Sequence, residues 1–241
     1  MIRETGGRPD TRASQPDSPA TSDDQATCPA SAILACLRRP RQERGERRVS
    51  AILDAAAALV VELGPDGVTV QALADRARTS KGSLYHFFPD LPSVLRALAD
   101  RHAAAIGALT DALMADPTVD WRGLSVAQAV QRFLAPLTYL EAHPDLLALA
   151  RTPVLADQKT RRLTPICDLA DHLLRARFPS LPAHERLVRT STMVAVLDGV
   201  VSYGLRTEGV SAHEMVQELS RVLSGYLVML DAEAALVTSG A

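Results

Sequence analysis

The chain has 241 residues, 47% of them hydrophobic and 22% charged, with a formal net charge of −2 at pH 7; this is enough apolar material for one large domain or two small ones. Near-neutrality argues neither for nor against a nucleic-acid partner. Three cysteines (Cys28, Cys36, Cys167) with no CxxC pair exclude a disulfide framework and a zinc ribbon. No stretch reaches the roughly 18 apolar residues of a membrane span. The opening MIRETGGRPDTRASQPDSP has no apolar segment after its charges to serve as a secretory signal, so a reducing cytoplasm is the expected setting.

Ala, Leu and Val dominate while aromatics are only 4%, a composition that favours helices over sheets. Residues 1–30, rich in Pro, Ser, Thr, Asp and Gly, have little to bury and read as disordered. A thiol sensor built on Cys28 and Cys36 is conceivable there, without a motif to support it. The apolar patch Ile33–Leu37 interrupts the tail, and RRPRQERGERR follows at 38–48, six Arg against two Glu. Such a run is either a solvated linker or a strip that tracks phosphates. Residues 38–103 hold 11 Lys+Arg and 8 Asp+Glu, whereas 104–241 hold 12 and 15, so the positive excess sits in the first of these segments.

From Val49 the pattern turns helical. Val49, Ile52, Leu53, Ala56, Leu59, Val60 and Leu63 fall three and four apart and make one apolar stripe. Gly64-Pro65 stops that helix, and Asp66-Gly67 turns the chain. The stretch GVTVQALADRARTSKGSLYHFF, residues 67–88, then raises a question. It starts as a helix with Thr69 as N-cap, breaks at Arg78-Thr79-Ser80, and restarts at once with Ser80 as a second cap. Two helices so closely joined bury their faces only by crossing steeply, the helix-turn-helix geometry, whose second helix enters the DNA major groove. Ser80-Lys81-Gly82-Ser83 is small, polar and singly cationic, which lets the backbone come close to DNA. Gly82 would cost about 1 kcal/mol in a helix chosen for stability alone. Leu84 and one or both of Phe87 and Phe88 are expected inside; Tyr85 and His86 are left outside, able to bond phosphates or base edges. Asp90-Leu91-Pro92 opens a fourth helix that runs to about Met114. Further helices are expected at about 124–141, 144–151, 157–178, 183–206 and 211–236, with no useful strand pattern. The expected fold is all-α with about nine helices.

TSKGSLYHFF, preceded by VTVQALADRA and an amphipathic helix, resembles the N-terminal domain of the tetracycline-repressor (TetR) family over about residues 46–100. The resemblance implies a helix-turn-helix DNA-binding domain at 46–90 after a tail at 1–45 that is disordered and Arg-rich at its end. It also implies a helical effector-binding and dimerisation domain at 91–241. Implied with it are a homodimer, a palindromic double-stranded DNA operator and a small-molecule effector whose binding releases the DNA. Carried over by position, Thr69, Ser80, Lys81, Gly82, Ser83, Tyr85 and His86 are the DNA contacts. The chain departs from the family pattern twice. Arg78 stands where Gly is frequent and must take an uncommon backbone geometry or shift the turn. No Lys follows the closing Phe, since the sequence reads Phe88-Pro89-Asp90-Leu91-Pro92; Arg78 and the arginines of 38–48 are candidates to replace it.

In the C-terminal part, helix 211–236 (Met215, Val216, Leu219, Val222, Leu223, Tyr226, Met229, Leu230) and helix 183–206 (Leu187, Val188, Val194, Leu197, Val201, Leu205, with Gly199 and Gly204) carry apolar stripes. These either join two subunits in a four-helix interface or fill one subunit's core. Phe133, Tyr139, His143, His172, Met193 and Tyr203 are the side chains to search first for effector contacts, and Arg161-Arg162 could meet an anionic one. No GxSxG, P-loop, HExxH or Glu-x-x-His pattern occurs, so no catalytic residue, metal or cofactor is expected. Asp168, Asp171 and His172 form either an acid–base cluster or a solvated face. The reading is a DNA-binding transcriptional regulator, a repressor released by an effector; the alternative is a ligand-independent DNA-binding or architectural protein.

Overall fold

A computed structural model describes the backbone of residues 29–150, 152, 159–204 and 209–239. The side chains of 29–41 and 159–162 lie outside the described residues, and with them Cys28, Cys36 and the Arg161-Arg162 pair. The chain divides into a unit of residues 1–44 and a compact unit of residues 45–241. The fold is all-α, with no strand among the described residues. Its helices are α1 (Pro29–Leu63), α2 (Val70–Arg76), α3 (Lys81–Phe87), α4 (Leu91–Ala115), α5 (Val126–Leu134), α6 (Thr138–Ala142), α7 (Pro144–Ala150), α8 (Lys159–Arg177), α9 (Ala183–Gly204) and α10 (Ala212–Ser239).

Two expectations are revised. Helical backbone begins at Pro29, well before Val49, because Arg, Gln, Glu and Ala keep most of their side-chain freedom in a helix and sustain one without an apolar stripe. The helix expected at 124–141 is broken into α5, a 3-10 turn Ala135–Leu137 and α6. Pro136 is the cause: it has no N–H to give the i−4 carbonyl, and its ring crowds the preceding turn.

The compact unit holds two apolar cores. In the first, Ile52, Leu59 and Val60 of α1 meet Leu73 of α2, Leu84 of α3, and Val94, Leu95, Leu98 and Ala99 of α4, with Phe88 and Leu149 of α7 closing the edges. In the second, Val130, Phe133 and Leu134 of α5 pack with Leu169, Leu173 and Leu174 of α8, Met193 and Leu197 of α9, and Leu219, Leu223 and Leu227 of α10. Arg177 ties the second together at its edge. Its Nε and Nη2 donate to the Asp231 carboxylate at 2.8 and 2.6 Å, and its Nη1 donates to the Leu124 carbonyl at 2.8 Å.

Helix α4 serves both cores. Its first half supplies the residues just named, and Ile106, Leu113 and Met114 of its second half pack on the other core. Between the halves lies His102, only 2% exposed. Its Nε2 donates to Asp145 Oδ2 of α7 at 2.7 Å, and its Nδ1 lies 2.9 Å from the Tyr139 hydroxyl of α6. His143 stacks on the Tyr139 ring at a centroid distance of 3.7 Å. Burial of Asp145 works to raise its pKa; the His102 hydrogen bond and charge, with the backbone N–H groups of Asp145 and Leu146, outweigh it and hold the carboxyl below its usual range. Burial, with the Asp145 charge, pushes the Tyr139 phenol up, so the hydroxyl keeps its proton beside Nδ1 while Nε2–H serves the carboxylate.

A carboxyl with a depressed folded pKa contributes stability that is complete above its unfolded value, about pH 4, and is lost as pH falls through the folded value. His102→Leu leaves a buried carboxylate without its side-chain partner and should cost about 2–4 kcal/mol in urea unfolding near neutrality. The gap from wild type should narrow as pH falls through the carboxylate range, as Asp145 protonates in both. A gap that stays constant with pH would mean the histidine contributes packing alone.

Candidate nucleic-acid interface and effector region

The segment from Thr69 to Ser93 is built by three side-chain caps. Thr69 Oγ1 accepts from the N–H of Ala72 at 3.1 Å, starting α2. Ser80 Oγ accepts from the N–H of Ser83 at 3.1 Å, starting α3. Asp90 Oδ1 accepts from the N–H of Ser93 at 2.7 Å, and Ser93 Oγ accepts in return from the N–H of Asp90 at 3.3 Å, a reciprocal box at the start of α4.

The turn between α2 and α3 ends α2 by a Schellman pattern. The N–H of Thr79 donates to the Ala74 carbonyl at 2.9 Å, and that of Arg78 to Asp75 at 3.2 Å. The residue at the crossing point must then be left-handed, and Arg78 is, with φ of 50°. Of the two options open from the sequence, the chain takes the uncommon backbone geometry and keeps the turn. Arg76 bonds Glu62 at the end of α1 through Nη1 and Nη2 at 2.9 and 2.6 Å, which fixes α2 against α1.

Within α3, Leu84 is fully buried, Phe88 just beyond it is buried and Phe87 is half-buried. Lys81, Gly82 and His86 are exposed, Ser83 is half-buried, and Tyr85 is 50% exposed. The outward face of α3 therefore combines small polar groups, one ammonium, a phenol and an imidazole, all able to approach a polyanion. Thr69, Arg78 and Ser80 are exposed beside it. Asp90 sits at the start of α4, where its carboxylate lies 3.7 Å from Arg96; that end of α4 brings no uncommitted cation.

The six effector candidates are not brought together. Phe133 and Met193 are buried in the second core. His172 meets Trp121 edge-on at 5.9 Å, and Tyr203 is 76% exposed on α9. Tyr139 and His143 adjoin, around His102. Asp171, adjacent to His172, is engaged by Arg175 at 2.6 Å and Arg186 at 2.8 Å, and no cluster of three His, Cys, Asp or Glu is placed to hold a metal ion among the described residues. A narrow cleft of about 20 Å³ lies between α6, α7, α9 and α10, lined by Leu140, Glu141, Leu147, Val201, Met215 and Leu219. None of the six lines it, though Tyr139 and His143 flank Leu140 and Glu141 in sequence.

Three residues of interest escaped the reading of the sequence individually: Arg48, His102 and Asp145. His102 continues the stripe of Leu95, Leu98 and Ala99 at helical spacing, which was the available signal for its burial.

A helix-turn-helix whose second helix turns small polar and cationic groups outward, followed by a larger helical domain, defines a DNA-binding regulator. The comparisons agree. The family model described as bacterial regulatory proteins, tetR family, matches residues 52–109, and that of the tetracyclin repressor-like C-terminal domain matches residues 125–227. The chain belongs to the TetR family of transcriptional regulators. A TetR-family regulator from Mesorhizobium loti is 18% identical over 77% of this chain and 98% of its own, with a TM-score of 0.56. Another from Streptomyces coelicolor is 26% identical over 76% of this chain and 98% of its own, with a TM-score of 0.52. The fatty acid degradation regulator FadR from Bacillus halodurans is 19% identical over 73% and 97%, with a TM-score of 0.53; at such identity the likeness is one of fold. No curated protein matches the chain.

A left-handed non-glycine residue costs about 1–2 kcal/mol, and glycine gives back about 0.5–1 kcal/mol of that through its freer unfolded state. Arg78→Gly should therefore melt at the same or a slightly higher temperature. If Arg78 meets phosphate, the same variant should bind DNA more weakly, with the salt slope shallower by about one per subunit. An unchanged slope would remove Arg78 from the interface.

Proposed function

We propose that the protein is a homodimeric, cytoplasmic repressor that binds a palindromic operator through α3 and is released by a small-molecule effector. The observation that carries this reading is the outward face of α3, where polar and cationic groups project while Leu84 anchors the helix from behind. In this arrangement Lys81, Gly82, Ser83, Tyr85 and His86 face base edges and phosphates, while Thr69, Arg78 and Ser80 flank them on the backbone. The division into a head at 46–90 and an effector and dimerisation domain at 91–241 follows from the same assignment.

Dimerisation is supported by the exposed faces of α9 and α10. Leu187 is 62% exposed with Val188 beside it, and Val222, Val228 and Met229 project from α10. Gly199 and Gly225 are exposed on the same two helices with open space before them, which permits close helix approach. Apolar side chains of this size along two adjacent helices are a costly surface to leave in water, and a second copy covers them symmetrically. For the effector, the apolar lining of the narrow cleft between α6, α7, α9 and α10 favours a small, largely apolar molecule with Glu141 as its charged neighbour, and the cleft would have to widen to admit it.

Selection from a random duplex library should recover a palindrome with half-sites about 34–36 Å apart. Tyr85→Ala should weaken its binding by about 1–3 kcal/mol with the thermal melt unchanged. Retention of that duplex across a broad library of small apolar compounds would favour ligand-independent regulation. Met229→Arg should raise the dimer dissociation constant at least about tenfold in sedimentation equilibrium; no change would place the interface elsewhere.

A further inference from the structure

Beside the recognition helix, α1 makes two contacts that its apolar stripe does not account for. A side chain built at Gly45 would touch the Phe87 ring at 4.0 Å. One turn on, Arg48 Nη1 donates to Ser83 Oγ at 3.2 Å. The partner moves back four residues along α3 as α1 moves forward three, so the two helices cross in opposite senses. The guanidinium therefore arrives at the first turn of α3, on the side turned to solvent.

Several arginines nearby are tied to carboxylates, and Arg48 is not. Arg76 is held by Glu62, Arg96 by Asp90 and Arg101 by Asp54. Among the described residues, Arg48 has no carboxylate partner and one hydrogen-bond acceptor, Ser83 Oγ. A guanidinium has five N–H donors in a planar fork, so most of its donors face water. It is also exposed and cannot lose its proton in the physiological range.

We infer that Arg48 is a DNA contact built on α1, bonding a backbone phosphate with its outer N–H groups while fixing Ser83 as a hydrogen-bond donor to the neighbouring base. The second role follows from hydroxyl chemistry. Ser83 Oγ has one proton and two lone pairs. With Arg48 donating into one lone pair, Oγ keeps its proton and one lone pair for DNA, and the positive guanidinium beside it favours an acceptor there: guanine O6 or N7, adenine N7 or thymine O4. Arg48 thus combines a direct phosphate contact with a positioning role exerted through Ser83. The inference rests on α3 lying in the major groove and adds a second helix to the reading surface.

The test uses the full chain and a duplex of roughly 30 base pairs recovered by selection with the wild-type protein, long enough for two half-sites one turn apart. Arg48→Ala should bind it about tenfold more weakly, with the salt slope shallower by about one per subunit and the melting temperature unchanged. Reselection with this variant should relax the preference at one base pair per half-site, and Ser83→Ala should cost less in the Arg48→Ala background than in wild type. Arg48→Lys should restore the salt slope but not that base preference, because a point charge lacks the fork. Equal affinity and slope for Arg48→Ala and wild type would overturn the phosphate contact. Strictly additive Arg48 and Ser83 effects with an unchanged base preference would overturn the positioning role. A wild-type chain that recovers no duplex overturns this inference together with the placement of α3.

Discussion

Everything in the compact unit depends on α4 being buried along most of its length by two different neighbours. Val94, Leu95, Leu98 and Ala99 complete the core beneath the helix-turn-helix, while Ile106, Leu113 and Met114 lie against the core of the larger domain. Leaving either core would return that apolar surface to water, at about 25 cal/mol per Å². The two cores therefore share one helical rod.

The midpoint of that rod is polar. An apolar residue at position 102 would satisfy packing as well and would leave the register of α4 against α6 and α7 free to slide by small steps. The His102–Asp145–Tyr139 set removes that freedom, because hydrogen bonds of 2.7 and 2.9 Å tolerate little displacement before they are lost. The cleft lined by Leu140 and Leu147 draws on the same two helices, α6 and α7, that hold His102.

Local features were legible in the sequence because they are decided within a few residues. Thr69, Ser80 and Asp90 announce their helix starts by a short side-chain oxygen before an apolar stripe, and all three cap as their positions require. Arg78 was legible as a departure from the family pattern, which often has Gly there; the sequence admits either a strained backbone or a shifted turn, and the left-handed φ of 50° decides it. Leu84 in and Tyr85 out follow from the spacing of α3 alone. The polar set around His102 was not legible: its members stand 37 and 43 positions apart, and no periodicity joins them until the fold does. Tyr139 and His143 were picked for their polar tips, and standing four apart they stack at the end of α6; the break at Pro136 is one that a pattern of apolar spacings does not register. The scatter of Phe133, Met193, His172 and Tyr203 has the same origin, since a helical stripe cannot say which of two neighbours it will meet.

Helix α3 has seven residues, far fewer than the roughly 12–15 at which an isolated helix becomes marginal in water. It has no independent existence: Ser80 starts it, and Leu84 and Phe88 hold it by burial in the first core. The surface proposed to read DNA is thus a by-product of packing behind it. Loosening that core by heat, denaturant or a distant substitution would dissolve the recognition helix while the long helices α4, α9 and α10 still give their full spectroscopic signal. Operator affinity then becomes the more sensitive thermometer of this protein, falling before the helix content does.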